Sequence, residues 1–272
     1  MRTPQIYITL PSEGKYWAND SIEMPVNGEV PVLSMSTRDE LVLKSPDALM
    51  NGQAVVDVIQ SCVPCIKNAW EMPIIDLDAI LIGIRIATYG ELMGYSSSCP
   101  ECSEFNEYEI DLKNFLVEQV DVSTYEALIE YEDLKIKLHP NNYKCVNTNN
   151  MEIFEQQRLV NLVNDESLDT EQKQEKFNQI FSKMTDLTVK AAIQSVEYIE
   201  IPEGPEKITN QDLIGEFITN SNRSVFESID NHQQKINESI PDKNIKTTCP
   251  DCGHEYLTPF TFDQSNFFAL AS

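Results

Sequence analysis

Three histidines in 272 residues, His139, His232 and His254, are too few and too scattered for the imidazole cluster of a metal hydrolase. The nine glycines are nowhere grouped into a phosphate-cradling loop, and no acid–base pair stands beside a convincing nucleophile. These absences argue against an enzyme. Cationic side chains are also scarce, 20 Lys and Arg against 44 Asp and Glu, for a net charge of −24 and a pI near 4.3. Such a surface repels phosphate backbones, which argues against a nucleic-acid partner, and suits solubility or docking onto a basic protein. Long apolar runs are missing too. Ile74 to Ala87, the longest, is broken by Asp76, Asp78 and Arg85 and falls short of the roughly 18 residues of a membrane span, so no membrane partner is expected. The start, Met1-Arg2-Thr3-Pro4-Gln5, has no signal-peptide character, so the expected setting is a reducing cytoplasm. Seven cysteines there point to metal binding or free thiols rather than a disulfide framework.

What the chain does have is a 41% apolar share, enough for a real core, and a length suited to one large domain or two modest ones. It also has two matching knuckles, Cys99-Pro100-Glu101-Cys102 and Cys249-Pro250-Asp251-Cys252, each between short strand-like runs and each followed by an aromatic, Phe105 or Tyr256. Two C-x-x-C pairs supply the four thiolates of a tetrahedral structural zinc site, with Cys99, Cys102, Cys249 and Cys252 as ligands. The proline tightens each turn, and Gly253 tolerates positive φ. All of Ser103 to Thr248 lies between the pairs, so one ion would clamp the two ends of a large insertion. Four sulfurs would close the shell, which reads as scaffolding and leaves His254 as a surface imidazole or an outer donor.

Hydropathy patterning gives the rest. Gln5 to Leu10, Ser21 to Met24 and Val30 to Met35 are strand candidates, with a turn at Asn27-Gly28. Thr37 and Glu40 form a capping box ahead of a two-turn helix. Ser45-Pro46 opens another short helix, Gln53 to Ser61 a third, and Leu77 to Tyr89 is the clearest, with Ile80, Leu81, Ile84 and Ala87 at helical spacing and Gly90 as its C-cap. Phe105 to Leu112 alternates as a strand, and Tyr125 to Leu138 reads as a hairpin. Helices are then expected over Met151 to Asn164 and from Thr170 to about Val196, followed by a turn at Glu200 to Pro205. A helix capped by Asn210 and a polar helix over 222–238 complete the insertion. The apolar faces of 151–196 suit either the insertion's own core or a partner surface. The expected class is α+β: an N-terminal β-rich and helical part, a zinc-ribbon-like stem from the two knuckles, and a mostly helical insertion. The expected boundaries are 1–110, 111–240 and 241–272.

A third pair, Cys62-Val63-Pro64-Cys65, follows a helical pattern, whereas redox motifs open a helix, so structural thiols are expected there. Cys145 stands alone. Asp76, Asp78 and Arg85 are read as paired or solvent-edge charges.

An ordered series of short motifs resembles the T-even-type bacteriophage baseplate protein family. It runs Leu10-Pro11-Ser12-x-Gly14-Lys15-x-Trp17, then Met35-Ser36-Thr37-Arg38-Asp39-Glu40 and the Gly52 to Cys62 segment. It continues with Asp78 ahead of Leu81-Ile82-x-Ile84-Arg85-Ile86-Ala87-x-Tyr89-Gly90, and ends at Cys99-x-x-Cys102. It covers roughly residues 8–105. The second knuckle fits the pattern, and the aromatic after Gly14-Lys15 is displaced to Trp17. The resemblance implies a non-enzymatic structural protein or assembly chaperone of the tail hub of a contractile-tail phage, with other tail and baseplate hub proteins as partners. An oligomeric arrangement through the baseplate is compatible with it. It implies a location in the host cytoplasm during assembly or in the virion tail baseplate. The competing reading is an acidic zinc-ribbon regulator of host transcription machinery.

Overall fold

The computed structural model describes residues 2–45, 51–117, 123–163, 170–201, 207–238 and 244–259. The chain divides into two compact units, Met1–Val120 with Ile240–Ser272, and Asp121–Ser239. Helices and strands occur in both, so the class is α+β.

In the first unit β1 (Pro4–Thr9) pairs antiparallel with β2 (Glu29–Leu33), Ile8 opposite Val30 and Ile6 opposite Val32. Alternation turns Ile8, Val30 and Val32 inward, under helices α2 (Gln53–Cys62) and α3 (Leu77–Tyr89), while α1 (Thr37–Leu43) packs on α2. α3 lies on both strands. A Cβ on its Gly83 would come within 3.1 Å of Ile8 Cγ2 and 3.4 Å of Val32 Cγ2, so the missing side chain sets how closely helix and ribbon approach. Ile80, Leu81 and Ile84 of α3 are fully buried, each worth roughly 1.5–3 kcal/mol of transfer free energy. Gly90, at φ 92°, ends α3 by donating its amide to Ile86 O over 3.0 Å.

Two local expectations are corrected here. The capping box sits one residue earlier than Thr37 and Glu40: Ser36 Oγ accepts the Asp39 amide, and the Asp39 carboxylate accepts the Ser36 amide at 2.7 Å. The shift follows from Arg2, whose guanidinium reaches Asp39 Oδ2 at 3.0 Å, Ser34 O at 2.9 Å and Ser61 O at 2.9 Å, and so holds Asp39 at the inner end of the helix. The Ser21 to Met24 strand is reduced to a single bridge between Ile22 and Ile66, because Pro25 has no amide to extend a ladder. The helix expected at Ser45-Pro46 falls on 46–50, outside the described residues.

After α3 the chain forms the hairpin β3 (Leu92–Ser98) and β4 (Phe105–Asp111), then the short helix α4 (Lys113–Val117).

The second unit opens with α5 (Ser123–Glu126) and the hairpin β5 (Leu128–Tyr131) and β6 (Leu134–Leu138). α6 (Tyr143–Val163) and α7 (Thr170–Ser195) follow as an antiparallel pair. α6 begins eight residues before the expected Met151. Asn142 caps it by accepting the Cys145 amide at 2.9 Å, and the polar run Asn147 to Asn150 is carried inside the helix. β7 (Val196–Glu200) starts directly after α7 and inserts between β6 and β8 (Lys207–Ile208), giving an antiparallel sheet of order β5-β6-β7-β8. α8 (Gln211–Asn220), capped by Asn210 as expected, and α9 (Arg223–Glu238) complete the unit. Ile136, Leu138, Val196, Ile199, Ile214, Ile229 and Ile236 form its core. Along α7, Ile180 and Leu187 are buried, while Phe177, Phe181 and Met184 stand exposed. The expected turn at Glu200 to Pro205 falls mostly on 202–206, outside the described residues.

The chain then returns to the first unit as a last hairpin, β9 (Asn244–Thr248) and β10 (Glu255–Pro259).

Candidate metal centre

Each knuckle closes a hairpin. Ser98 pairs with Phe105 across the first and Thr248 with Glu255 across the second. The two turns are built alike. The Cys99 amide donates to Glu104 O and the Cys249 amide to His254 O, both at 2.9 Å. The Ser103 amide donates to Cys99 O and the Gly253 amide to Cys249 O, again at 2.9 Å. This closure needs a left-handed residue, met by Gly253 at φ 72° and by Ser103 at φ 63°. Serine there carries a strain that glycine avoids.

The hairpins bring Cys99, Cys102, Cys249 and Cys252 together, their sulfurs all within 4.8 Å of one another. Two close contacts cross between hairpins: Cys99 to Cys252 and Cys102 to Cys249 are each 3.6 Å. That is far too long for a disulfide, and it suits a tetrahedral ion with metal–sulfur bonds of about 2.3 Å, whose ligand corners lie about 3.8 Å apart. Cys99 and Cys249 are buried, Cys102 half-buried and Cys252 exposed, so the cluster has one open side.

Its electrostatics favour a cation. Burial opposes ionisation of Cys99, but the amides of Cys102 and Glu101 aim at its sulfur and hold the thiol down near 7. Cys102 receives the Glu104 amide, yet burial and the three neighbouring sulfurs push it up to about 12. Four thiolates this close repel one another, and a divalent ion relieves that repulsion. The donor set therefore fits a metal ion.

Polar contacts join the hairpins beyond the sulfurs. Tyr95 Oη and Thr247 Oγ1 are 2.9 Å apart, the Tyr108 and Tyr256 hydroxyls 3.2 Å, and Asn106 Nδ2 donates to Asp251 Oδ2 at 2.9 Å. Tyr95 and Tyr108 stack at 5.3 Å. Sequence reading missed Asn106, although it stands four residues past Cys102 just as Tyr256 stands four past Cys252.

The remaining candidates lie elsewhere. Cys62 is buried, and that burial, with the Asp39 carboxylate nearby, pushes its thiol up to about 12. Burial also raises Cys65 and Cys145, and Cys145 Sγ donates to Gln194 Oε1 at 2.9 Å. His254 is exposed, its ring stacked with Tyr256 at 6.2 Å, and it is its backbone that serves the knuckle, the carbonyl toward Cys249 and the amide toward the Cys252 sulfur. Asp76 is not a solvent-edge charge. It is fully buried and accepts the Ser12 amide at 2.8 Å, the Ser12 hydroxyl at 2.5 Å and the Trp17 indole N–H at 2.8 Å. Burial pushes its carboxyl up to about 6 against those three bonds. Arg85 is buried as well, with Cζ 4.6 Å from the centre of the Tyr89 ring.

Among known proteins, the sequence model of the family described as T4 bacteriophage base plate protein matches residues 4–269. No curated protein matches, and no solved structure does.

Proposed function

The chain belongs to the T4 bacteriophage base plate protein family, and from that premise we propose that it is a non-enzymatic component or assembly chaperone of the central hub of a contractile-tail baseplate, stapled by one structural zinc ion. The family match over nearly the whole chain carries this reading, and a structural or assembly role in the baseplate follows from it. Cys99, Cys102, Cys249 and Cys252 would hold the ion. Its chemistry there is that of a clamp: one divalent cation offsets half the charge of four thiolates and joins sulfurs 147 residues apart in the chain at the Cys102–Cys249 contact. The ion thereby fixes the two ends from which the second unit is inserted. The excess of acidic residues suits docking onto a basic face of another tail protein. Among the described residues no helix is long and apolar enough to cross a membrane.

Quantitative mass spectrometry of purified virions and of infected-cell lysate tests the role. Stoichiometric presence in virions means a structural subunit. Abundance in lysate, absence from virions and co-purification with tail proteins mean an assembly chaperone. Absence from virions without such co-purification rejects the baseplate reading and favours a regulator.

A further inference from the structure

Arg85 is only 3% exposed, yet among the described residues its Nε and Nη1 have no hydrogen-bond acceptor. The chain carries 44 acidic residues, but among the described residues no carboxylate pairs with this cation. One feature of its surroundings eases the positive charge: the Tyr89 ring lies over the guanidinium. It supplies no acceptor for the buried N–H groups. The carboxylate next to Tyr89, Glu40, is engaged with the Tyr89 hydroxyl at 3.3 Å. A buried charge without its hydrogen bonds is among the costliest features a fold can hold, and an apolar side chain of similar length would remove the cost. A cost of this kind, kept in an otherwise well-bonded core, marks a group whose partner arrives from outside.

The cover over the guanidinium is thin. Tyr89 is half-buried and ends α3, and the next residue, Gly90, is exposed at φ 92°. Rotation of one ring at a helix end would uncover the cation. The missing interaction is acceptance of N–H bonds by an anion. We propose that Arg85 is the receptor for a side-chain carboxylate from a neighbouring baseplate protein, with Tyr89 as its movable cover. The identity of that neighbour rests on the functional reading above; the unmet guanidinium does not.

Two comparisons on the full chain test this. Urea unfolding of wild type and Arg85→Met in chloride buffer reads the cost of the unpaired cation. Arg85→Met should shift the midpoint upward, and a downward shift would mean that Arg85 has its acceptor within the chain and overturn the proposal. Infection with phage encoding Arg85→Met reads the partner. The variant should accumulate in soluble form at wild-type abundance but be lost from tail complexes. Recovery in tail complexes at the wild-type level overturns the proposal. So does an upward shift of the wild-type midpoint on replacing chloride with acetate at constant ionic strength, if Arg85→Met phage also assemble normally, because the site would then serve a free anion. Failure of the wild-type chain itself to co-purify with tail proteins would instead overturn the functional reading, whichever way the stability comparison falls.

Discussion

Trp17 donates its indole N–H to the buried carboxylate of Asp76 over 2.8 Å. Ser12 binds the same carboxylate through both its amide and its hydroxyl, so the loop after β1 is anchored to the entry of α3. This gives the Leu10-Pro11-Ser12-x-Gly14-Lys15-x-Trp17 series a physical purpose: its Ser12 and Trp17 are donors for one buried acid.

That acid should leave a signature in pH. The Asp76 carboxyl sits at about 6 in the folded chain against an ordinary 3.8. A raised value means that the folded state holds its proton more tightly than the unfolded chain. The stabilising effect is complete below 3.8 and lost as pH rises through about 6, a span of about 3 kcal/mol. Acidification also relieves repulsion in a chain of net charge −24, so wild type alone is ambiguous. The decisive quantity is the difference between wild type and Asp76→Asn in urea midpoint from pH 7 to pH 5. Wild type should gain more than the variant. Equal gains would show that Asp76 does not titrate in this window.

Asp39 should behave in the opposite sense. Burial alone would raise its carboxyl, but bonds from the Ser36 amide and hydroxyl, from Ser61 and from the Arg2 guanidinium outweigh it and hold the group below its ordinary value. Its contribution is present above the unfolded value and lost as pH falls through the folded one. Ser36→Ala, which removes the cap, should cost about 1 kcal/mol at pH 7. Thr37→Ala should cost less, since Thr37 is not the capping residue. Guanidinium titrations of the two variants, side by side, decide which residue caps α1.

How far such features can be read from sequence depends on how local their causes are. α3 was legible because Ile80, Leu81 and Ile84 recur at helical spacing and Gly90 stops them within a single window. The knuckles were legible because metal-ligand spacing is short-range, and the two halves of the cluster match each other. The Ser36 cap was not, because the guanidinium that engages Asp39 comes from a residue 37 positions away. Asp76 was read as a surface or paired charge because its donors lie 64 and 59 residues upstream. The start of α6 was missed for a related reason. Asn147 to Asn150 look like a break, but the helix is set by its Asn142 cap and by packing of the buried Tyr143, neither visible in local propensity.

The matched knuckles permit a test of backbone strain. Ser103 and Gly253 occupy the same place in their turns at φ 63° and 72°. A Cβ on Gly253 would meet nothing within 4 Å, so substitution there is purely a backbone effect. Gly253→Ala should destabilise the chain by about 1 kcal/mol, and Ser103→Gly should stabilise it by less than that, because glycine also loses more entropy on folding. Thermal melts with metal present should therefore move in opposite directions. A fall in both would mean that the Ser103 side chain makes a contribution of its own.

Thiol chemistry separates the four-cysteine cluster from the other cysteines. All seven are free of disulfides, and they fall into two groups. Burial raises Cys62, Cys65 and Cys145 above their ordinary range, so their thiolates are rare at neutral pH. The knuckle sulfurs do not form so uniform a set: Cys252 is exposed and Cys99 is held near 7, while Cys102 is pushed up to about 12 like Cys62. With zinc bound these sulfurs are ligated, and no cysteine should label quickly. Chelation should release one equivalent of zinc per chain and add a fast phase from the knuckle cysteines, while Cys62, Cys65 and Cys145 stay slow until the chain unfolds. Because chelation also frees a contact spanning 147 residues, the unfolding midpoint should fall in the same experiment. A chain purified without chelator that holds no zinc, or that shows the fast phase before chelation, would reduce the knuckles to a thiol cluster and remove the clamp from the proposed function.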